Sequence, residues 1–157
     1  MFDVKKVRAT LLWGIPLYLG LMAGSCFVIR YEIIPTVVGI ATLASGVRIA
    51  PAALLAPFIA LICALAIILG TMRAIPCSDK SIQPMERFFT IIVLASGVAL
   101  LLIPVTSLIV RFYMPSLGYS LCSDLKDNPT MWFTDWVRDP AWCVRGKSLD
   151  WVNQQGR

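Results

Sequence analysis

The sequence predicts an all-α integral membrane protein, and three observations predict it. First, residues 9–29, 49–72 and 88–110 are apolar stretches of more than 20 residues each, without a single Asp, Glu, Lys or Arg. About 20 apolar residues of helix cross a bilayer's hydrocarbon core. Second, the composition is 58% apolar and 15% charged, with a mean hydropathy of +0.77, outside the range of soluble globular chains. Third, Arg30, Glu32, Arg48, Arg73, Arg87 and Arg111 all stand at the ends of apolar segments, where long side chains reach the headgroups. Lipid leaves no backbone group to pair with water, so each stretch is expected to be a helix.

The first span follows Lys5, Lys6 and Arg8, the charge pattern of a signal segment. Ala23-Gly24-Ser25-Cys26 hints at a lipoprotein cleavage site, but Ala23 stands where a bulky aliphatic is usual. The apolar run also continues through Phe27, Val28 and Ile29. An uncleaved signal anchor is the expectation. Gly20 and Gly24 form a Gly-x-x-x-Gly pair within it. Small residues four apart let helix backbones approach closely. Packing against the chain's own other helices is the expected use, with homodimerisation as the alternative.

Residues 33–47 are uncharged, closed by Arg48 and broken by Pro35, Gly39 and Gly46. The segment is short for a span and predicts a re-entrant or interfacial piece. A fourth span there would put Arg73, Lys80 and Arg87 outside the cell. Three spans keep them inside with Lys5, Lys6 and Arg8, as the positive-inside bias favours. Pro16, Pro57 and Pro104 put one proline in each long span. Prolines are tolerated in membrane helices and commonly bend them.

The remainder, 113–157, differs in character. Lys126, Arg138, Arg145, Lys147 and Arg157 balance Asp124, Asp127, Asp135, Asp139 and Asp150, and four tryptophans (Trp132, Trp136, Trp142, Trp151) lie among them. A disulfide between Cys122 and Cys143 would stabilise this segment by roughly 3 kcal/mol in the chain-entropy treatment. The segment is too short to build a large core of its own. Disulfides persist in oxidising compartments, so the pair favours a periplasmic tail and agrees with three spans. Cys26 and Cys63 lie in apolar helices as small core residues, and Cys77 is expected to be a free thiol in the loop 73–87.

Several function classes recede on the same residues. A net charge of +5 would suit nucleic acid, but the basic residues flank apolar segments and form no run. Histidine is absent and no Cys-x-x-Cys occurs, which disfavours a zinc site. No span carries an acid or base at its middle, as transport and proton relay normally need. The polar groups Thr90, Ser96, Thr106 and Ser107 can return hydrogen bonds to backbone or neighbouring helices. No enzyme and no cofactor is expected, because the aspartates have neither a histidine partner nor a phosphate loop. The tail tryptophans remain the strongest lead. Trp132, Phe133, Trp136 and Trp142 can cap the disulfide loop as a miniature core, lie along the membrane interface, or present an anchor patch to a partner.

Gly118-Tyr119-x-x-Cys122, followed by Trp136-Val137-Arg138-Asp139-x-x-x-Cys143, resembles a family of small bacterial inner-membrane proteins of unknown function. In that family a hydrophobic part ends in Gly-Tyr-x-x-Cys, then an aromatic-Val-basic-Asp-x-x-x-Cys block. Trp136 departs from the pattern, which has Tyr there. Some relatives of this kind look like immunity proteins that protect a bacterium from a membrane-active toxin. The resemblance implies that role here: toxin neutralisation by direct binding at the inner membrane.

The combined expectation is a transmembrane region over 1–112 and a periplasmic tail over 113–157. The N-terminus is cytoplasmic, the C-terminus is periplasmic, and membrane lipid and a toxin are the partners. Trp132, Trp136, Arg138 and Asp139, held by Cys122–Cys143, are the expected partner-binding residues. The alternatives are an accessory subunit of a larger membrane complex and a small channel or transporter.

Overall fold

The structure is a computed structural model and describes residues 4–75, 78–126, 128, 130 and 132–156. Three of its helical segments are long and apolar enough to cross a membrane: Ala9–Ala41, Pro51–Ala74 and Asp79–Ser116. Cys77 lies outside the described residues.

The chain forms two compact units, residues 1–28 with 55–100 and residues 29–54 with 101–157. In the first, α1 (Val4–Val28) packs along α3 (Ala56–Ala74). At Gly70 the helices lie close together: a Cβ there would come within 2.6 Å of Leu11 Cδ2. Cys63, Leu65 and Leu69 of α3 are buried there. The small-residue contact is therefore made at Gly70. Gly20 and Gly24, expected to pack on the chain's own helices, are exposed and would meet no atom within 4 Å of an added Cβ. Pro16 lies inside α1, whereas Pro57 opens α3, in the first turn where its missing N–H costs nothing.

α4 (Asp79–Ser116) is a single helix of 38 residues that contributes to both units. Its polar side chains turn back on it: Thr90, Ser96, Thr106 and Ser107 each donate to a carbonyl three or four residues earlier. Large apolar side chains on α1 and α4 are exposed, with Trp13 at 86% and Leu101 at 74%. Such surfaces are unstable in water and suit lipid.

The second unit corrects the all-α expectation, because it holds an antiparallel sheet of order β1-β3-β2. The strands are β1 (Gly46–Ile49), β2 (Ser120–Cys122) and β3 (Thr134–Val137). Residues 33–47, expected as one re-entrant or interfacial piece, are divided between helix and strand. A π-helical turn, Ile29–Ile33, leads into α2 (Ile34–Ala41), and the chain then reverses into β1. Leu43 makes that reversal with φ +50°. The expected tail thus gains a strand from before the second long apolar helix. β1 pairs along β3 with Val47 opposite Trp136 and Arg48 opposite Asp135.

Alternation along β3 builds a core on each face of the sheet. Trp136 packs with Val47, Ile49, Met114 and Tyr119. Val137, one residue on, packs with Cys122, Leu125 and Val152. The last helix, α5 (Leu149–Gln155), closes this second face. Its N-cap is Ser148, whose Oγ accepts from Trp151 N at 3.3 Å. Gly46 lets α5 lie close on β1: a Cβ there would come within 2.9 Å of Leu149 Cδ1 and 3.0 Å of Val152 Cγ1, so those side chains would have to shift.

Candidate functional site

The candidate site is the sheet module of the second unit. It begins where α4 stops. Gly118 has φ +81°, a conformation that only glycine adopts without strain. Tyr119 N donates to Met114 O at 3.1 Å and Gly118 N to Pro115 O at 3.0 Å, the pattern of a Schellman stop. The turn aims Tyr119 into the first core, 3% exposed. Its hydroxyl donates to Ala44 O at 2.6 Å, tying the end of α4 to the α2–β1 reversal. Burial pushes the Tyr119 phenol above its ordinary value, against a smaller downward pull from Arg138.

Cys122 and Cys143 form a disulfide with Cα atoms 5.7 Å apart. It joins β2 to the chain just after a short 3₁₀ turn, Pro140–Trp142. Asp139 caps that turn, its Oδ1 accepting from Ala141 N at 2.9 Å.

The centre of the module is charged. Asp135 is fully buried, and Arg48 holds it through Nε–Oδ1 at 2.7 Å and Nη2–Oδ2 at 3.0 Å. Asn128 Nδ2 donates to the same Oδ2 at 2.5 Å, and the guanidinium lies 3.9 Å from the centroid of the Phe133 ring. A buried carboxylate is tolerated only when so paired. This bidentate fork fastens β1 and the 128 loop to β3.

The four expected partner-binding residues separate. Trp136 is 3% exposed, and its Nε1 donates to Thr134 Oγ1 at 3.0 Å, so its indole belongs to the core. Trp132 is 68% exposed. Arg138 and Asp139 are exposed. Arg138 lies beside the reversal, its Nη1 donating to Leu43 O at 3.3 Å and its backbone N to Ser45 O at 2.8 Å. Trp142 and Trp151 are half-buried against the second core, and Lys147 Nζ sits 5.4 Å over the Trp151 ring. All three readings of the tryptophans concern side chains of this module, and the structure divides them between core and surface.

A family profile described as "Protein of unknown function (DUF1240)" matches residues 43–144. The chain belongs to the DUF1240 family. The matched DUF1240 region runs from the α2–β1 reversal through all three strands to just beyond Cys143. It therefore contains the Gly118–Cys122 and Trp136–Cys143 segments that carry the sequence resemblance. No curated protein and no solved structure matches this DUF1240 chain.

Nothing in the sequence connects Arg48, Asp135 and Asn128 as a group. Arg48 reads as a topology charge closing an uncharged run, and Asp135 as one of five aspartates. The available signal is the Gly46-Val47-Arg48-Ile49 alternation, which is too short to separate from helix by period alone.

Proposed function

We propose that this chain is a multi-pass protein of the bacterial inner membrane that acts as an immunity protein, neutralising a membrane-active toxin by direct binding. In this reading three spans put the N-terminus in the cytoplasm and the stapled module in the periplasm. The observation that carries it is Trp132: a large indole left 68% exposed on a module whose neighbouring Trp136 is buried. Exposed Trp and Arg on a rigid scaffold are the side chains that most often anchor protein partners. Arg138 and Asp139 offer polar contacts on the same strand exit. Trp136 acts by holding the fold, and the Cys122–Cys143 bond keeps the surface ordered before contact.

The test is competition between sibling cells. A strain lacking the protein should be killed by toxin-bearing siblings, and the wild-type gene should restore survival. Trp132→Ala should fail to restore it while reaching the membrane at normal level. Equal survival with and without the protein would overturn the reading.

A second reading, an accessory subunit of a larger membrane complex, is favoured by the open Gly20/Gly24 face of α1. Such a face accepts a helix from another subunit or from a second copy. Constant co-purification with one membrane complex, independent of any toxin, would favour it.

A further inference from the structure

Two clefts, one of mixed lining that includes charged groups and one almost wholly apolar, meet at Glu32 and Thr36 along the seam between α2 and β1. The first, the polar cleft of about 500 Å³, runs between α2 and α5 with β1 as its floor, and includes Glu32, Thr36, Arg48, Lys126, Asp150 and Asn153. Its size falls within the range of small-molecule sites. The apolar one, about 120 Å³, is bounded mainly by Ile33, Val37, Ile49, Ala50, Pro51 and Leu54. Glu32 and Thr36 belong to both.

Helix geometry explains the division. Tyr31, Pro35 and Gly39 recur at four-residue spacing and line the polar cleft, and Ile33 and Val37 line the apolar one. Glu32 and Thr36 form the ridge between them. Thr36 Oγ1 donates to Arg48 O at 2.6 Å, which ties the ridge to β1. The strand divides likewise, Gly46 to Arg48 on the polar side and Ile49 with Ala50 on the apolar side.

The charges in the polar cleft are of both signs. Arg48 is already engaged by Asp135. Lys126 supplies a cation, and Glu32 and Asp150 supply two carboxylates. Neither carboxylate takes part in an ion pair among the described residues. Asn153 Oδ1 accepts from Gly46 N at 2.8 Å, which leaves its Nδ2 to donate. Lys126 and the Asn153 amide suit a phosphate, and Glu32 with Asp150 suits an ammonium.

We propose that this seam is a phospholipid site: the polar cleft takes a zwitterionic amine–phosphate headgroup, phosphatidylethanolamine in kind, and the apolar cleft takes the start of an acyl chain. The chain passes from α1, which ends at Val28, through the turn Ile29–Ile33 into α2, and we take α1 as a span and the segment that follows it as lying at headgroup depth. The site rests on the membrane reading of the helices and does not depend on toxin binding. It would anchor the module's α2–β1 edge to the bilayer surface.

The test uses full-length protein, delipidated in mild detergent and followed by native mass spectrometry. Phosphatidylethanolamine, phosphatidylglycerol and soluble glycerophosphoethanolamine are titrated in turn. The expected result is retention of phosphatidylethanolamine several-fold over phosphatidylglycerol, with no competition from glycerophosphoethanolamine at equal concentration. Glu32→Gln with Asp150→Asn should bring the two lipids to parity, and Val37→Glu should lose both. The intact Cys122–Cys143 bond on non-reducing gels serves as the folding control, with Glu32→Gln alone as the milder variant. Equal retention of both lipids by wild type overturns the headgroup assignment. Full competition by glycerophosphoethanolamine replaces the lipid with a soluble dipolar ligand. Unchanged preference in both variants removes the site from this seam. A failure of toxin protection in cells leaves every one of these readouts intact, so the two proposals fail separately.

Discussion

Arg48 and Asp135, 87 residues apart in the chain, meet as opposed residues of the β1–β3 ladder and form a two-point ion pair at 2.7 and 3.0 Å. The carboxylate is fully buried and the guanidinium side chain is 25% exposed. Removing one partner strands the other charge. Arg48→Met is expected to cost about 3–5 kcal/mol, and Arg48→Met with Asp135→Leu to recover much of it. Thermal unfolding of the purified variants checks both. A single variant as stable as wild type would contradict the pairing.

The two tryptophans of the expected patch should behave in opposite ways. Trp136→Ala empties part of the first core and is expected to destabilise by about 3–5 kcal/mol. Trp132→Ala changes an exposed side chain and is expected to stay within about 0.5 kcal/mol of wild type. If the proposed function holds, only Trp132→Ala separates stability from protection. Denaturation and sibling competition on the same pair of variants read the two effects.

Cys122→Ser with Cys143→Ser is expected to lower stability by roughly 3 kcal/mol, the order given for a loop of this size. The reductant sensitivity of the wild-type melting temperature should vanish in the double variant. A melting temperature that reductant does not move in wild type would count against a stabilising bond.

Gly118 takes φ +81° with open space beyond its Cα. Gly118→Ala therefore meets no clash and tests backbone conformation alone, at an expected cost of about 1–2 kcal/mol. The measurement is the unfolding free energy relative to wild type.

Tyr119 predicts the alkaline limb of stability. Burial raises its phenol above the ordinary 10.0 in the folded state. The folded chain then holds its proton where the unfolded chain has lost it. The contribution is complete below the ordinary value and is lost as pH rises through the folded one. Tyr119→Phe should flatten that limb and cost about 1 kcal/mol at neutral pH through the lost bond to Ala44 O. Stability measured against pH from 7 to 11 in both proteins decides it.

Much of the module was legible in part. The two cysteines stand out because they lie in the tail, beyond the last long apolar run, and they pair as expected. The tail tryptophans stand out as well, but sequence alone leaves their roles open. Trp136 is drawn into the core by alternation along a strand of only four residues, too short to announce itself. Segment 33–47 misleads for a related reason. Its lack of charge reads as membrane depth, yet Val47 and Ile49 are apolar because they face a sheet core.

The long apolar helices and the stapled pair follow from the chain read locally, because each depends on nearby composition or on one residue type. A charge-free run beyond 20 residues suits a helix, which pairs its backbone groups within the one segment. Folding in three dimensions is what brings a strand from before the second long helix into a sheet with the tail. It also sets Arg48 against Asp135 and brings Gly70, with Gly20 and Gly24 left open, against Leu11 of α1. These are pairings between distant residues, and their energy comes from burial and register that no local window contains.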